Sequence, residues 1–247
     1  MRASAAFTAT AIGDRTRFTS LRSSPPLSLR PTPDGLFLVS SGAGPIGGDD
    51  LQLDCVVGPG ASVELLSAAA SMLLPGPSGA QSTTTVRATV AGSLVWSPEP
   101  TVLVAGCDHR ASARISVAPG GRLWWREEVV LGRHGEASGS MLQRLHVDVD
   151  GHPLLRTELP VGPRWPGSAG PAGLDGARAV GSLVIVRGGE PAAPEGVIEG
   201  ARCGVVQLSQ DAWLLTVIAA NSAAVRRTLD AAFPRHRETT VPANLPA

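Results

Sequence analysis

Turn-forming residues set the first limit on what this chain can fold into. Glycine fills 29 and proline 21 of its 247 positions, so about one residue in five interrupts regular backbone and long helices are disfavoured. The runs between these interruptions have strand character. Phe7 to Ala11, Thr16 to Leu21, Leu27 to Arg30 and Gly35 to Ser40 are separated by Gly-Asp, Ser-Ser-Pro-Pro and Pro-Asp-Gly, the rhythm of consecutive strands. In Leu51-Gln52-Leu53-Asp54-Cys55-Val56, Leu51, Leu53 and Cys55 point one way and Gln52 and Asp54 the other, as in a half-buried strand. Further strands are expected at Thr101 to Val104, Ala113 to Val117, Leu142 to Val149, Pro153 to Leu159, Ser182 to Val186, Gly204 to Leu208 and Trp213 to Ile218. Asp150-Gly151 marks a hairpin turn, and the Gly/Pro-rich stretch from Gly162 to Gly176 reads as a loop.

Three units echo one another: Val57-Gly58-Pro59-Gly60-Ala61-Ser62-Val63, Val90-Ala91-Gly92-Ser93-Leu94-Val95-Trp96 and Val117-Ala118-Pro119-Gly120-Gly121-Arg122-Leu123-Trp124. Each reads strand, Gly turn, strand, at a period of about 30 residues, which suits stacked units sharing one core. The fold expected is mainly β, a two-layered or solenoid-like body. One helix stands out near the C-terminus, capped by Asn221 or Ser222, with Val225, Leu229 and Phe233 on one face and Pro234 ending it. Residues 1–234 are read as a single β-rich domain and 235–247 as a flexible tail.

Composition removes several function classes. With 43% hydrophobic and 17% charged residues, the chain can bury a sizeable core and is not disordered. Its 21 basic residues, all Arg, balance 21 Asp and Glu, so no nucleic-acid or anionic-membrane surface of the usual basic kind is expected. Cys55, Cys107 and Cys203 are odd in number and far apart, which argues against a disulfide framework or structural zinc and fits a reducing cytoplasm. No secretory signal is recognised, and no apolar run approaches the ~18 residues of a membrane span.

Chemistry-bearing residues are few. Gly44-Pro45-Ile46-Gly47-Gly48-Asp49-Asp50 lacks the Lys-Ser/Thr and the following helix of a phosphate loop; it reads as a tight corner with adjacent carboxylates, of which one can face inward. Glu127 and Glu128 follow Trp124-Trp125 within a strand, where each meets either an Arg partner or a channel. Cys107-Asp108-His109 offers soft metal ligands but also reads as an ordinary loop. Neither a zinc-hydrolase histidine spacing nor a Gly-x-Ser-x-Gly elbow is present.

The order of short motifs is the most specific signal: Gly47-Gly48-Asp49-Asp50-Leu51, Pro59-Gly60-Ala61, Ala69-Ala70-Ser71, Gly79-Ala80-Gln81, Leu94-Val95-Trp96-Ser97-Pro98-Glu99, Glu127-Glu128-Val129-Val130-Leu131-Gly132-Arg133 and Gly135-Glu136. In that order they resemble the UreD (also called UreH) family of urease accessory proteins, from about Arg15 to Leu159 and more faintly through Leu214 to Val217 and the last helix. The resemblance implies an elongated, β-helix-like, non-enzymatic protein. It would bind the urease apoenzyme and a UreF-type partner, which docks a UreG-type GTPase, and pass nickel through an internal tunnel, with no tightly bound cofactor. Carried over by motif, Asp49, Asp50, Ser71 and Glu127 are implied tunnel-lining positions, and Glu158 falls within one residue of another. Oxygen donors spaced along a path bind a borderline cation weakly enough to release it.

The chain would be a divergent member. Met72 stands where the family has Lys, Leu74 where an aromatic is common and Ile218 where an Arg is usual, and the ending Val241-Pro242-Ala243-Asn244-Leu245-Pro246-Ala247 differs from the family's. Two rival readings stay open at this stage. One is a carbohydrate-active enzyme on a β-solenoid, with paired carboxylates as acid and base; the other is a β-rich interaction module without a metal role.

Overall fold

The computed structural model describes residues 1–77, 79–192, 196–198 and 200–233. Its order begins with β1 (Arg2–Ile12), β2 (Arg15–Ser23), β3 (Leu27–Thr32) and β4 (Gly35–Ser40). Next come β5 (Asp50–Val57), β6 (Ser62–Ser67) and β7 (Ser71–Leu73), then β8 (Ser82–Val90), β9 (Ser93–Ser97) and β10 (Thr101–Leu103). β11 (Asp108–Val117), β12 (Arg122–Val130), β13 (Ser140–Val149) and β14 (His152–Val161) follow. A 3-10 turn at Pro166–Ala169 lies in the expected loop, and β15 (Ala179–Val186), β16 (Gly196–Ile198), β17 (Ala201–Ser209), β18 (Ala212–Ala219) and α1 (Ser222–Ala232) complete the order. The mainly β expectation and the helix near the C-terminus hold; the ending of that helix at Pro234 and the tail at 235–247 lie outside the described residues.

The strands form two facing sheets. The first has the order β14-β13-β11-β8-β5-β1-β2, and the second runs β16-β17-β18-β15-β12-β9-β6-β4-β3. The echoed units explain this layout. β5, β8 and β11 pair in parallel in the first sheet, while β6, β9 and β12 pair in parallel in the second. Each Gly turn therefore carries the chain from one layer to the other. Gly92 shows why glycine is needed there: a Cβ would stand 2.1 Å from the carbonyl oxygen of Ala61 and 2.5 Å from that of Gly58, in the turn stacked next to it.

Alternation then fills the space between layers. Phe7, Leu53, Val86 and Ile115 from the first sheet meet Leu65, Leu94, Leu123 and Trp125 from the second in one core. Trp96 and Trp125 stack within it, centroids 4.3 Å apart and planes 8° from parallel. Trp124 faces the other side of the second sheet, where α1 packs through Ala224, Val225, Leu229 and Phe233. The Asn221 side chain caps α1 by accepting from the Ala224 N–H at 3.0 Å, which satisfies one of the donors a helix start leaves open. Gly181 lets the helix approach: a Cβ there would lie 2.5 Å from Val225 Cγ1.

An ion network centred on a buried Arg126–Glu128 pair fastens the same helix. Arg126 on β12 donates to Glu128 Oε1 from Nε at 2.9 Å and to Asp230 of α1 at 2.6 Å. Arg226 of α1 holds Glu99, between β9 and β10, through both carboxylate oxygens at 2.7 and 3.3 Å and lies 3.8 Å from Glu128. The second oxygen of Glu128 is buried with no hydrogen-bond partner among the described residues.

Candidate functional site

Between the layers, where side chains are smaller or polar, the core opens into two cavities. The first, of about 490 Å³, has Ser71, Met72 and Ala43 in its wall at the protein surface and His109, Met141 and Glu127 in its interior. The second, of about 110 Å³, is bounded by Thr157, Ser182, Thr216 and Leu145. Glu127, Val129 and Gln143 line both.

Glu127 occupies this junction because of strand parity. On β12, Leu123, Trp125, Glu127 and Val129 point between the sheets while Arg126 and Glu128 point toward α1. The adjacent carboxylates thus differ: Glu128 is salt-bridged to Arg126 and borders the first cavity alone, whereas Glu127 lies where both cavities meet. Glu127 is enclosed by protein, and that burial pushes its carboxyl up to about 7, with the Trp125 and Gln143 side chains opposing the rise. It nevertheless keeps some accessible surface, because the cavities reach it.

His109 is a further polar group of the first cavity. Its Nδ1 lies 2.8 Å from Ser82 Oγ, both residues being buried. Burial pushes its imidazole down to about 4, with Asp108 pulling the other way, so the ring is neutral near pH 7. Asp108 instead engages Arg164 and Gln81, and Cys107 sits in a separate apolar cluster, its thiol pushed up to about 11 by burial and by Asp108. The Cys107-Asp108-His109 triplet is therefore not assembled as a ligand set; among the described residues no group of three metal-ligating side chains is found.

The other sequence-proposed positions divide. Ser71 lines the first cavity, exposed at its mouth. Glu158 borders the second, but its carboxylate accepts from Arg144 at 2.6 Å on the outer side of the sheet, and its inward neighbour is Thr157. Asp49 and Asp50 line neither cavity. Asp49 is buried, with Oδ1 2.8 Å from the Met1 amino group and Oδ2 accepting the Ile46 N–H at 2.8 Å. Against the desolvation that burial imposes, these hydrogen bonds hold its carboxyl below the usual value. Asp50 faces outward, accepting from Thr83 at 2.8 Å. The pair folds the Gly47-Gly48 corner, where Gly47 lies so close to Gly76 that a Cβ would stand 2.5 Å from its nitrogen. Asp49→Ala is accordingly expected to lower unfolding free energy by about 1–3 kcal/mol, the worth of hydrogen bonds to a charged acceptor, as measured by urea denaturation near neutral pH.

The remaining motif residues are structural in position. Gly60 turns with φ +72° between β5 and β6. Trp96 and Pro98 both border the first cavity. Gly132, with φ +83°, permits a close approach of the Glu136 carbonyl, and Gly135 turns the loop with φ +70°. Arg133 closes it with a two-pronged ion pair to Glu136, whose carboxyl is held down to about 2. Met72 and Leu74 line the first cavity, whereas Ile218 packs against the cluster of Leu131 and Val180. Sequence reasoning named His109 only as a metal-ligand candidate and missed its pairing with Ser82, and it missed Gln143 and Ser182, because cross-strand register alone brings these residues together and to the cavities.

Comparison of the sequence with known proteins gives consistent matches. The family model described as UreD urease accessory protein matches residues 1–247. A urease accessory protein UreD of Frankia alni is 42% identical over 220 residues, covering 79% of this chain and 72% of that protein. Its counterpart in a Parafrankia species is 38% identical over 245 residues, covering 88% and 82%, and that of Streptomyces coelicolor is 41% identical over 204 residues, covering 80% of each. With a family match over the full length and relatives this similar, the chain belongs to the UreD family of urease accessory proteins.

Proposed function

We propose that this chain is a non-catalytic urease-maturation scaffold that binds the urease apoenzyme and a UreF-type partner and provides an internal path for nickel, with a UreG-type GTPase engaged indirectly. The observation that carries this reading is Glu127, a carboxylate held at the junction of two cavities between the sheets. Ser71 supplies an oxygen at one mouth, Glu127 and Gln143 at the middle, and Thr157, Ser182 and Thr216 beyond it. Such spaced oxygen donors suit a cation that keeps part of its water and moves on, whereas a closed ligand cage would trap it. In the same reading, the stacked units wind as a short β-helical coil, and its hollow is the path. Nickel is cargo here, not a resident cofactor, and the setting is the cytoplasm.

The test is co-expression with the urease apoenzyme and a UreF-type protein. Co-elution by size exclusion with light scattering reads assembly, and nickel per urease active site reads delivery. A defined complex with raised nickel content supports the scaffold; a well-folded chain that elutes alone and leaves nickel content unchanged refutes it.

A further inference from the structure

The outer face of the first sheet carries a feature that neither cavity uses. Following the register sideways across its strands, Arg22 stands opposite Ala6 and Ala6 opposite Asp54. Asp54 stands opposite Arg87, Arg87 opposite Arg114, Arg114 opposite His146 and His146 opposite Arg156. This is one lateral row across seven strands. At ~4.8 Å per strand it spans about 29 Å, with four arginines and a histidine against a single carboxylate. Arg110 lies on the same face of β11, one full side-chain repeat beyond Ser112. Arg22, Arg87, Arg110, Arg114 and Arg156 are exposed, and α1 packs on the other sheet.

Local carboxylates neutralise the row only in part. Arg87 lies 3.5 Å from Asp54, Arg156 engages Asp148 and Arg144 engages Glu158. Arg22, Arg110 and Arg114 have no hydrogen-bond or ion-pair partner among the described residues. Like charges directly opposed on neighbouring strands repel, and the chain as a whole has equal numbers of acidic and basic residues. On this face the unpaired Arg22, Arg110 and Arg114 leave an excess of positive charge beyond what the carboxylates beside Arg87, Arg144 and Arg156 answer.

We propose that this face docks the acidic surface of a protein partner, an inference that rests on the scaffold reading. Guanidinium groups present paired donors that match carboxylates two at a time. A protein rather than a nucleic acid is the fitting occupant for two reasons. Asp54, Asp148 and Glu158 stand among the arginines and would repel a uniform chain of phosphates, whereas a protein surface can answer both signs. The row also holds no aromatic side chain on which bases would stack.

The experiment compares the wild type with Arg110→Glu/Arg114→Glu and the neutral Arg110→Gln/Arg114→Gln, each checked by circular dichroism, for association with the urease apoenzyme and the UreF-type protein at low and high salt. Charge reversal is expected to slow association about 10-fold or more at low salt, with the gap closing at high salt and the neutral variant falling between. If reversal disturbs folding, the neutral variant carries the comparison. Assembly of the variants at the wild-type rate and salt dependence overturns the docking face while leaving the scaffold intact. Failure of the wild type to assemble overturns both. Binding of a single-stranded RNA oligonucleotide by the wild type, lost in the variants, would assign the face to nucleic acid and overturn a protein occupant.

Discussion

Substituting Met for Arg126 is expected to lower the free energy of unfolding by about 3–5 kcal/mol, the cost of leaving a buried ion without its partner. Arg126 and Glu128 are only 4% and 2% exposed in their side chains, and Arg226 at 3.8 Å is too distant to replace the lost hydrogen bonds. The double substitution Arg126→Met/Glu128→Met is expected to recover most of the loss, because two apolar side chains of similar volume need no counter-charge. Guanidinium denaturation of the three proteins decides the point. A single variant within about 1 kcal/mol of wild type would mean that water reaches Glu128, contrary to the packing of α1 over β12.

Glu127→Gln is expected to move stability and function in opposite directions. Burial raises this carboxyl from 4.5 to about 7 in the folded protein. Protonated Glu127 therefore contributes stability that is fully present below pH 4.5 and is lost as pH rises through about 7. At 1.36 kcal/mol per unit the total is about 3 kcal/mol. The Gln variant keeps the shape without the charge, so its stability should lack this decline and exceed that of the wild type above pH 7, as read by urea denaturation from pH 5 to 8. Nickel delivered to urease should nevertheless fall by about 10-fold or more, since even second-layer partners of a metal ligand have effects of that size, while co-elution of the complex is unchanged. Equal nickel delivery would remove Glu127 from the path; loss of co-elution would make it a structural residue instead.

The contrast between Glu127 and Glu128 shows how far sequence reasoning reaches. Strand alternation was legible: it predicts that neighbours in Trp124-Trp125-Arg126-Glu127-Glu128 face opposite ways, and they do. What alternation cannot supply is the identity of each side's cover, which depends on α1, about a hundred residues later in the chain, lying over one face. The Gly turns at 60, 92 and 120 were legible for the same local reason, since each marks a reversal of direction. Asp49 and Asp50 show the opposite case. Their motif is local and easily matched, yet the corner it builds holds Asp49 in backbone and terminal hydrogen bonds and turns Asp50 outward. The arginine row was invisible from composition, because an exact overall balance of charge conceals its distribution between the two faces of a sheet.

The parallel stacking of Trp96 on Trp125 has an optical consequence. Two indoles with centroids 4.3 Å apart couple their electronic transitions, so the aromatic contribution to far-ultraviolet circular dichroism should change in a Trp96→Phe variant by more than the loss of one isolated indole. Because Trp96 also borders the larger cavity, anything that enters and tilts one ring against the other changes that signal, and filling of the interior becomes observable without a label.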